Sequence, residues 1–425
     1  MTELKKTLGL PSLMFYGIGM ILGAGIYSVL GPAASLAQDA IWMSFLIAAF
    51  VALLTGLSYA ELATRIPEAG AEYSYLQKAL PNRRLISFVV GLVVCVLGAA
   101  TAATVSLSFA GYLQGFIKLP IVPTAFGLLL LVTLINIIGL QISSKVNILF
   151  TLIELGGLAI VITLGLQSEE FASDLSITAN SGVLPATALL FFSYLGFENM
   201  AALAEEAKDA KRHIPIAIIA SVILTTVVYV LVGLATIALV PPEQLLGDEA
   251  PLVKVVAAGS NRMVPVIQGI ALFATANTAL IAILSASRVL FTMGRKKDLP
   301  DALTKLASKK GSPWIATLAV FAVAACMLPL GSVEVVAKLA SFISLLVFAT
   351  VHIALIILRF DGSPKSDTFR VPLSIGRLPL IPCVGILAIM FMMVQFNGQV
   401  YGLSAGVIFM AFAVYLVLER KRNKI

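Results

Sequence analysis

Residues 11–31 read PSLMFYGIGMILGAGIYSVLG, an apolar run long enough to cross a bilayer with Gly23-Ala24-Gly25 at its middle. Residues 185–206 read PATALLFFSYLGFENMAALAEE and place Ser193, Gly196, Glu198 and Asn199 at a similar depth. The offset from Pro11 to Gly23 is nearly that from Pro185 to Gly196. Five apolar spans precede the second run, so the two are expected to enter the membrane from opposite sides. Corresponding Gly-interrupted segments in two halves of a chain point to a transporter built from inverted repeats. Glycine also serves close packing in membrane helices. A pair at matched offsets, one of them followed by a carboxylate, favours function over packing.

The rest of the chain fits a membrane setting. Its 425 residues are 59% hydrophobic and 12% charged, against roughly 25% charged residues in soluble domains. Lipid can solvate that much apolar surface; a soluble core of this length cannot bury it. Apolar runs predict about twelve spans, over 11–35, 41–65, 85–117, 121–139, 145–167, 183–205, 214–240, 263–294, 314–330, 332–358, 378–396 and 400–419. The net charge of +7 is not a nucleic-acid signature, because the basic residues fall at alternate connections. Lys5, Lys6, Arg65, Arg83, Arg84, Lys208, Arg212, Arg295, Lys296, Lys309, Arg359, Lys365 and the ERKRNKI tail share one side. Lys118, Lys254, Arg262 and Lys338 take the other. The asymmetry predicts a multi-pass protein of the cytoplasmic (inner) membrane with both termini inside.

Unwound backbone survives in hydrocarbon only where it is buried or lines a cavity. There it offers free N–H groups at one half-helix start, which favour a carboxylate, and free C=O groups at the other half-helix end, which favour an ammonium. Two broken spans side by side suit the two charged ends of a free amino acid. Competing chemistry is missing: His213 and His352 are the only histidines, Cys95, Cys326 and Cys383 form no spaced pair, and no HExxH, GxSxG or GxxxxGK[ST] motif occurs. Neither an enzyme, a metal centre nor an ATP-driven pump is indicated, and no cofactor is expected.

Four ordered motifs carry a family resemblance over nearly the full length. GIGMILGAGIYSVLG resembles the GAGIF signature of the amino acid–polyamine–organocation superfamily. YAELATRIPEAGAEYSYLQKAL resembles its YAELA…PEAGG-Y-Y motif, with Ala71 where a second glycine is usual. FFSYLGFENMAALAEEAKDAKRHIPIAI resembles FFAY-GFE…EE-K-P-R-IP, with Ala210 for the usual proline, and SASRVLFTMGRKKDLP resembles the eighth-span exit. The resemblance implies an all-α polytopic fold of the LeuT type: a five-plus-five inverted repeat with spans one and six broken, plus two further helices, working by alternating access. The repeats would cover residues 1–167 and 168–360, leaving 361–425 for the last two spans and tail. It implies that amides of Gly23, Ala24 and Gly25 take the substrate carboxylate, and that carbonyls of Ile21, Phe192, Ser193 and Leu195 take its amino group. Phe192 would be an aromatic gate. Ser285 and Ser287 fall near the position that helps hold sodium in sodium-coupled relatives.

Glu154 departs from that pattern. It sits near the middle of the fifth span, where several proton-coupled or sodium-independent relatives carry a lysine. An ionised carboxylate at that depth costs roughly 2.5–3.5 kcal/mol. Glu154 is therefore expected to carry a coupling proton or to balance a cation; a permanently protonated structural acid is the alternative. Glu198, after the sixth-span interruption, is a second proton-coupling candidate with an equally open structural role. Glu61 and Arg65 have the spacing of an exposed helical ion pair, read as gate or scaffold, and Lys338 is expected to snorkel to the outer interface. The small-residue third span, CVLGAATAATVSLSFAGY, fits either tight packing or a pocket wall. The expected function is proton-coupled uptake of neutral amino acids across the bilayer. A cationic amino acid or polyamine carrier, an exchanger, and a non-transporting nutrient sensor are the alternatives.

Overall fold

A computed structural model describes residues 8–67, 71–138, 144–171, 180–204, 207–307, 313–362 and 368–422. Lys5, Lys6, Glu205, Glu206, Lys309, Lys310 and Lys365, and residues 68–70 of the second-span motif, lie outside them. The chain runs α1 (Leu10–Ala37), α2 (Ile41–Arg65), a short α3 (Ala71–Ala79), α4 (Arg84–Leu113), α5 (Ile121–Ile138), α6 (Ser144–Leu166) and α7 (Val183–Tyr194). It continues with α8 (Ala210–Leu239), a short α9 (Pro251–Gly259), α10 (Val264–Arg295), α11 (Trp314–Met327), α12 (Val333–Asp361), α13 (Leu380–Met393) and α14 (Gly398–Arg422). A two-residue hairpin, Ser374–Ile375 against Leu378–Pro379, precedes α13.

Each predicted span contains one of these helices, the sixth as α7 followed by a 3-10 segment over Phe197–Leu203. Among the described residues, eight helical stretches are long and apolar enough to cross a membrane, and α11 and α13 are shorter apolar helices. The protein is an all-α polytopic membrane protein. Its peripheral helices α5, α13 and α14 expose Leu131, Leu134, Leu387, Met390 and Phe409, as lipid contact requires.

The two interrupted helices lie side by side and run antiparallel. Leu8, just before α1, bridges Ala207, beyond the second interrupted segment. At the other end Asn180 Nδ2 donates to the Ala37 carbonyl at 2.8 Å, tying the start of α7 to the end of α1. The packing partners exchange between the halves. As α1 packs on α8, α2 packs on α7; as α5 packs on α4 and α10, so does α11. The small residues of α4 serve tight packing: a Cβ on Gly98 would come within 2.7 Å of Ala286 Cβ on α10.

The face where α1 begins carries the basic residues. There Glu61, fully buried, accepts from Arg359, 3% exposed, and forms an ion pair with Arg65. Glu61 Oε2 also accepts the Val371 amide at 2.7 Å. The expected exposed pair is thus a buried triad, because α12 and the loop after it close over the end of α2. Removing one partner of a buried pair strands the other charge. Arg359→Leu is expected to destabilise the protein by about 3–5 kcal/mol, checked by thermal unfolding in detergent beside Arg377→Leu. Arg84 and Tyr73 together hold Asp298, fixing α3 and α4 to the end of α10. Lys338 pairs with Glu334 one turn away on α12.

On the far face, Glu249 precedes α9 and accepts from the Val333 amide at the start of α12, while Ser108 donates to its carbonyl at 3.3 Å. Burial, and secondarily Asp248, push its carboxyl up to about 7, against the opposing pull of the Val333 amide. Above its unfolded pKa the folded state then holds the extra proton, so stability rises as pH falls from about 7 towards 4.5. Glu249→Gln is expected to flatten that stretch of a melting-temperature profile.

Candidate functional site

The first interruption is a single residue. Gly23 has φ −12° and ψ −152°, outside the helical region, within an otherwise helical α1. In the second, α7 stops at Tyr194, Leu195 is extended at φ −62° and ψ 140°, and Gly196 sits at φ +128°. That left-handed conformation suits glycine, and a Cβ on Gly196 would also stand 2.4 Å from the Met20 carbonyl oxygen. A Cβ on Gly25 would stand 2.6 Å from Ser193 Cα. The two chains therefore meet backbone to backbone where both lose their helical bonding.

One side chain from α8 joins them: the Tyr229 hydroxyl is shared between the Ile21 carbonyl at 2.7 Å and the Ser193 carbonyl at 3.0 Å. On the other side, the Ala24 amide donates to Thr278 Oγ1 of α10 at 2.9 Å. Ser193 Oγ is buried with no partner. Phe192 is 3% exposed beside it. Glu198 closes the second interruption on itself, its Oε2 accepting the Gly196 amide at 2.8 Å and its Oε1 facing Asn199 Nδ2 at 3.3 Å.

Glu154 on α6 is 1% exposed. Tyr27 of α1 donates to its backbone carbonyl at 2.9 Å, and Tyr112 of α4 donates to the Tyr27 carbonyl at 2.8 Å. Its carboxyl is hydrogen-bonded by the Asn277 side chain, and Oε1 has no partner. Among the described residues no cation pairs with it, unlike Glu61 with its two arginines. Cavities of about 270 and 290 Å³ open at the two faces, beside Lys78 and Lys296 and beside Glu249, away from the interruptions.

The structure brings together Ile21, Gly23, Ala24, Gly25 and Ser193. Ser287 returns its hydroxyl to the Leu284 carbonyl of its own helix at 2.8 Å. Thr278, two turns earlier on α10, is the hydroxyl beside Gly23, a Cβ on that glycine standing 2.7 Å from its Oγ1. The sequence reading also passed over Tyr229, Asn277 and Thr278. Their signal was polar groups in apolar runs, in ILTTVVYVLVG and ALFATANTALI.

Two interrupted membrane helices that meet backbone to backbone define a solute carrier rather than an enzyme. Residues 8–418 match the amino acid permease family, and the chain belongs to it. It is 26% identical to the branched-chain amino acid permease BcaP of Bacillus subtilis, over all of this chain and 95% of that protein. It is 28% identical to cationic amino acid transporter 1 of Arabidopsis thaliana, over 86% of this chain and 65% of that one. The methylthioribose transporter of Bacillus subtilis is 26% identical over 99% of this chain and 95% of its own length.

Proposed function

We propose that the protein takes up neutral amino acids through the paired interruptions, driven by protons. The observation that carries the reading is the Tyr229 hydroxyl held by carbonyls of both interrupted helices. It stands where two carbonyls would receive a substrate ammonium, as Thr278 stands where a substrate carboxylate would take the Ala24 amide. A zwitterion can take the place of the Tyr229 hydroxyl with its ammonium and accept the Ala24 amide with its carboxylate, leaving no peptide group of the site unsatisfied. Phe192 covers the site as its gate. Glu154 carries the coupling proton, because a buried carboxylate with no cation is tolerated at that depth when protonated. Glu198, turned onto the Gly196 amide, holds the second interruption open and serves as a subsidiary proton site.

The antiparallel α1 and α7 and the exchanged packing partners support two inverted repeats, residues 1–167 and 168–360, followed by two further spans in 361–425, about twelve in all. The basic face is then cytoplasmic, with both termini inside, in the cell's inner membrane. Similarity to a branched-chain permease makes leucine, isoleucine and valine the first substrates to try. A second reading, transport or exchange of cationic amino acids, is favoured by the unpaired buried acids and the plant relatives. The test is uptake by purified protein in liposomes, across leucine, valine, alanine, lysine and arginine, with imposed proton or sodium gradients. Leucine accumulation that follows the proton gradient and ignores sodium supports the reading; accumulation of lysine alone replaces it with the second.

A further inference from the structure

Asn277 and Thr278 are consecutive on α10, yet they serve two different parts of the site. Thr278 accepts the Ala24 N–H at 2.9 Å. On the same helix, Thr275 and Thr292 give their hydroxyl protons to carbonyls four residues back, Ala271 and Arg288. Among the described residues Thr278 has no such acceptor, so its own proton is left for whatever enters beside Ala24. A carboxylate there would take the Ala24 N–H with one oxygen and the Thr278 O–H with the other.

Asn277 meets Glu154. Its side chain bonds the carboxyl, while Asn277 Oδ1 and Glu154 Oε1 are both buried and both lack a donor. Two acceptors without a donor on a pair of bonded side chains call for one hydrogen. A protonated Glu154 would supply it: the amide N–H would donate to one carboxyl oxygen and the carboxyl O–H would donate back to Oδ1, closing an acid–amide pair. Without that proton both oxygens stay unpaired in a low-dielectric site, which favours a turned Asn277.

We propose that the Asn277–Thr278 pair is the element that couples proton loading at Glu154 to carboxylate binding at Ala24; this rests on the reading of Glu154 as the proton carrier. The proton fixes Asn277, Asn277 fixes the adjacent turn of α10, and that turn sets whether the Thr278 hydroxyl reaches a carboxylate held on the Ala24 amide. Asn277 is a positioning residue; Thr278 touches substrate.

The experiment measures the KM for radiolabelled L-leucine, and for L-lysine in parallel, between pH 8 and 6. It uses liposomes containing wild type, Asn277→Leu, Asn277→Ala, Thr278→Val, Thr278→Ser and Glu154→Gln, each shown to retain leucine or lysine counterflow. Wild type is expected to bind more tightly at pH 6. Thr278→Val should raise KM about tenfold at both pH values, the worth of one hydrogen bond to a charged group, and Thr278→Ser should restore it. Asn277→Leu and Asn277→Ala should leave KM nearly independent of pH, as should Glu154→Gln. A wild-type pH dependence in both Asn277 variants, alongside its loss in Glu154→Gln, overturns this coupling alone. Its persistence in Glu154→Gln overturns the proton-carrier reading beneath it. A Thr278→Val KM within twofold of wild type removes Thr278 from the carboxylate site.

Discussion

Gly25→Ala is expected to lower the rate of amino acid uptake by roughly 100-fold, the scale set by a misplacement of about 1 Å at a positioned site. A single methyl at this position would lie 2.6 Å from Ser193 Cα, and no real Cβ packs against backbone so closely. The neighbour is main chain, so no rotamer change relieves the clash; the two interrupted helices must separate. Separation parts the Ile21 and Ser193 carbonyls, which one Tyr229 hydroxyl now spans. Gly127→Ala on α5 is the matched control, since a Cβ there meets nothing within 4 Å. The check is initial uptake in liposomes at equal protein load, with size-exclusion profiles for both variants. Normal uptake in Gly25→Ala would mean that the contact between the helices plays no part in transport.

The interruptions were legible because they are written in residues with few other uses at mid-membrane. Gly23 and the Leu195-Gly196 step fall where the matched offsets placed them, since only glycine tolerates φ +128° against a carbonyl 2.4 Å from its missing Cβ. Glu154 was legible for the same reason, as a charge where charge is expensive. What could not be read was the choice of partner across the bundle. Ser287 and Thr278 are both hydroxyls on α10, and which of them meets α1 depends on the rotation of one helix about its axis. Tyr229 was hidden because tyrosine in an apolar span ordinarily belongs to an interface, and its role here comes from two carbonyls freed in other helices. Glu61 was misjudged because four-residue spacing says which charges can pair, not whether α12 and its following loop bury them.

Glu154→Gln is expected to abolish accumulation against a gradient while leaving exchange intact. If one proton enters with each amino acid, a pH difference of one unit is worth 1.36 kcal/mol, and wild type should concentrate leucine about tenfold per unit. Glutamine keeps the size of the side chain and a donor toward Asn277, so the buried pair keeps its packing without a site that titrates. Uptake by Glu154→Gln under the same pH difference should therefore stop near the external concentration, whereas counterflow of labelled against unlabelled leucine should run at a rate comparable to wild type. The contrast with Glu61 makes the prediction specific. Both acids are buried, but Glu61 is paired with Arg65 and Arg359, whereas Glu154 has an amide for company and an oxygen with no partner. A variant that still concentrates leucine tenfold per pH unit would place the coupling proton elsewhere, with Glu198 on the Gly196 amide as the next acid to replace.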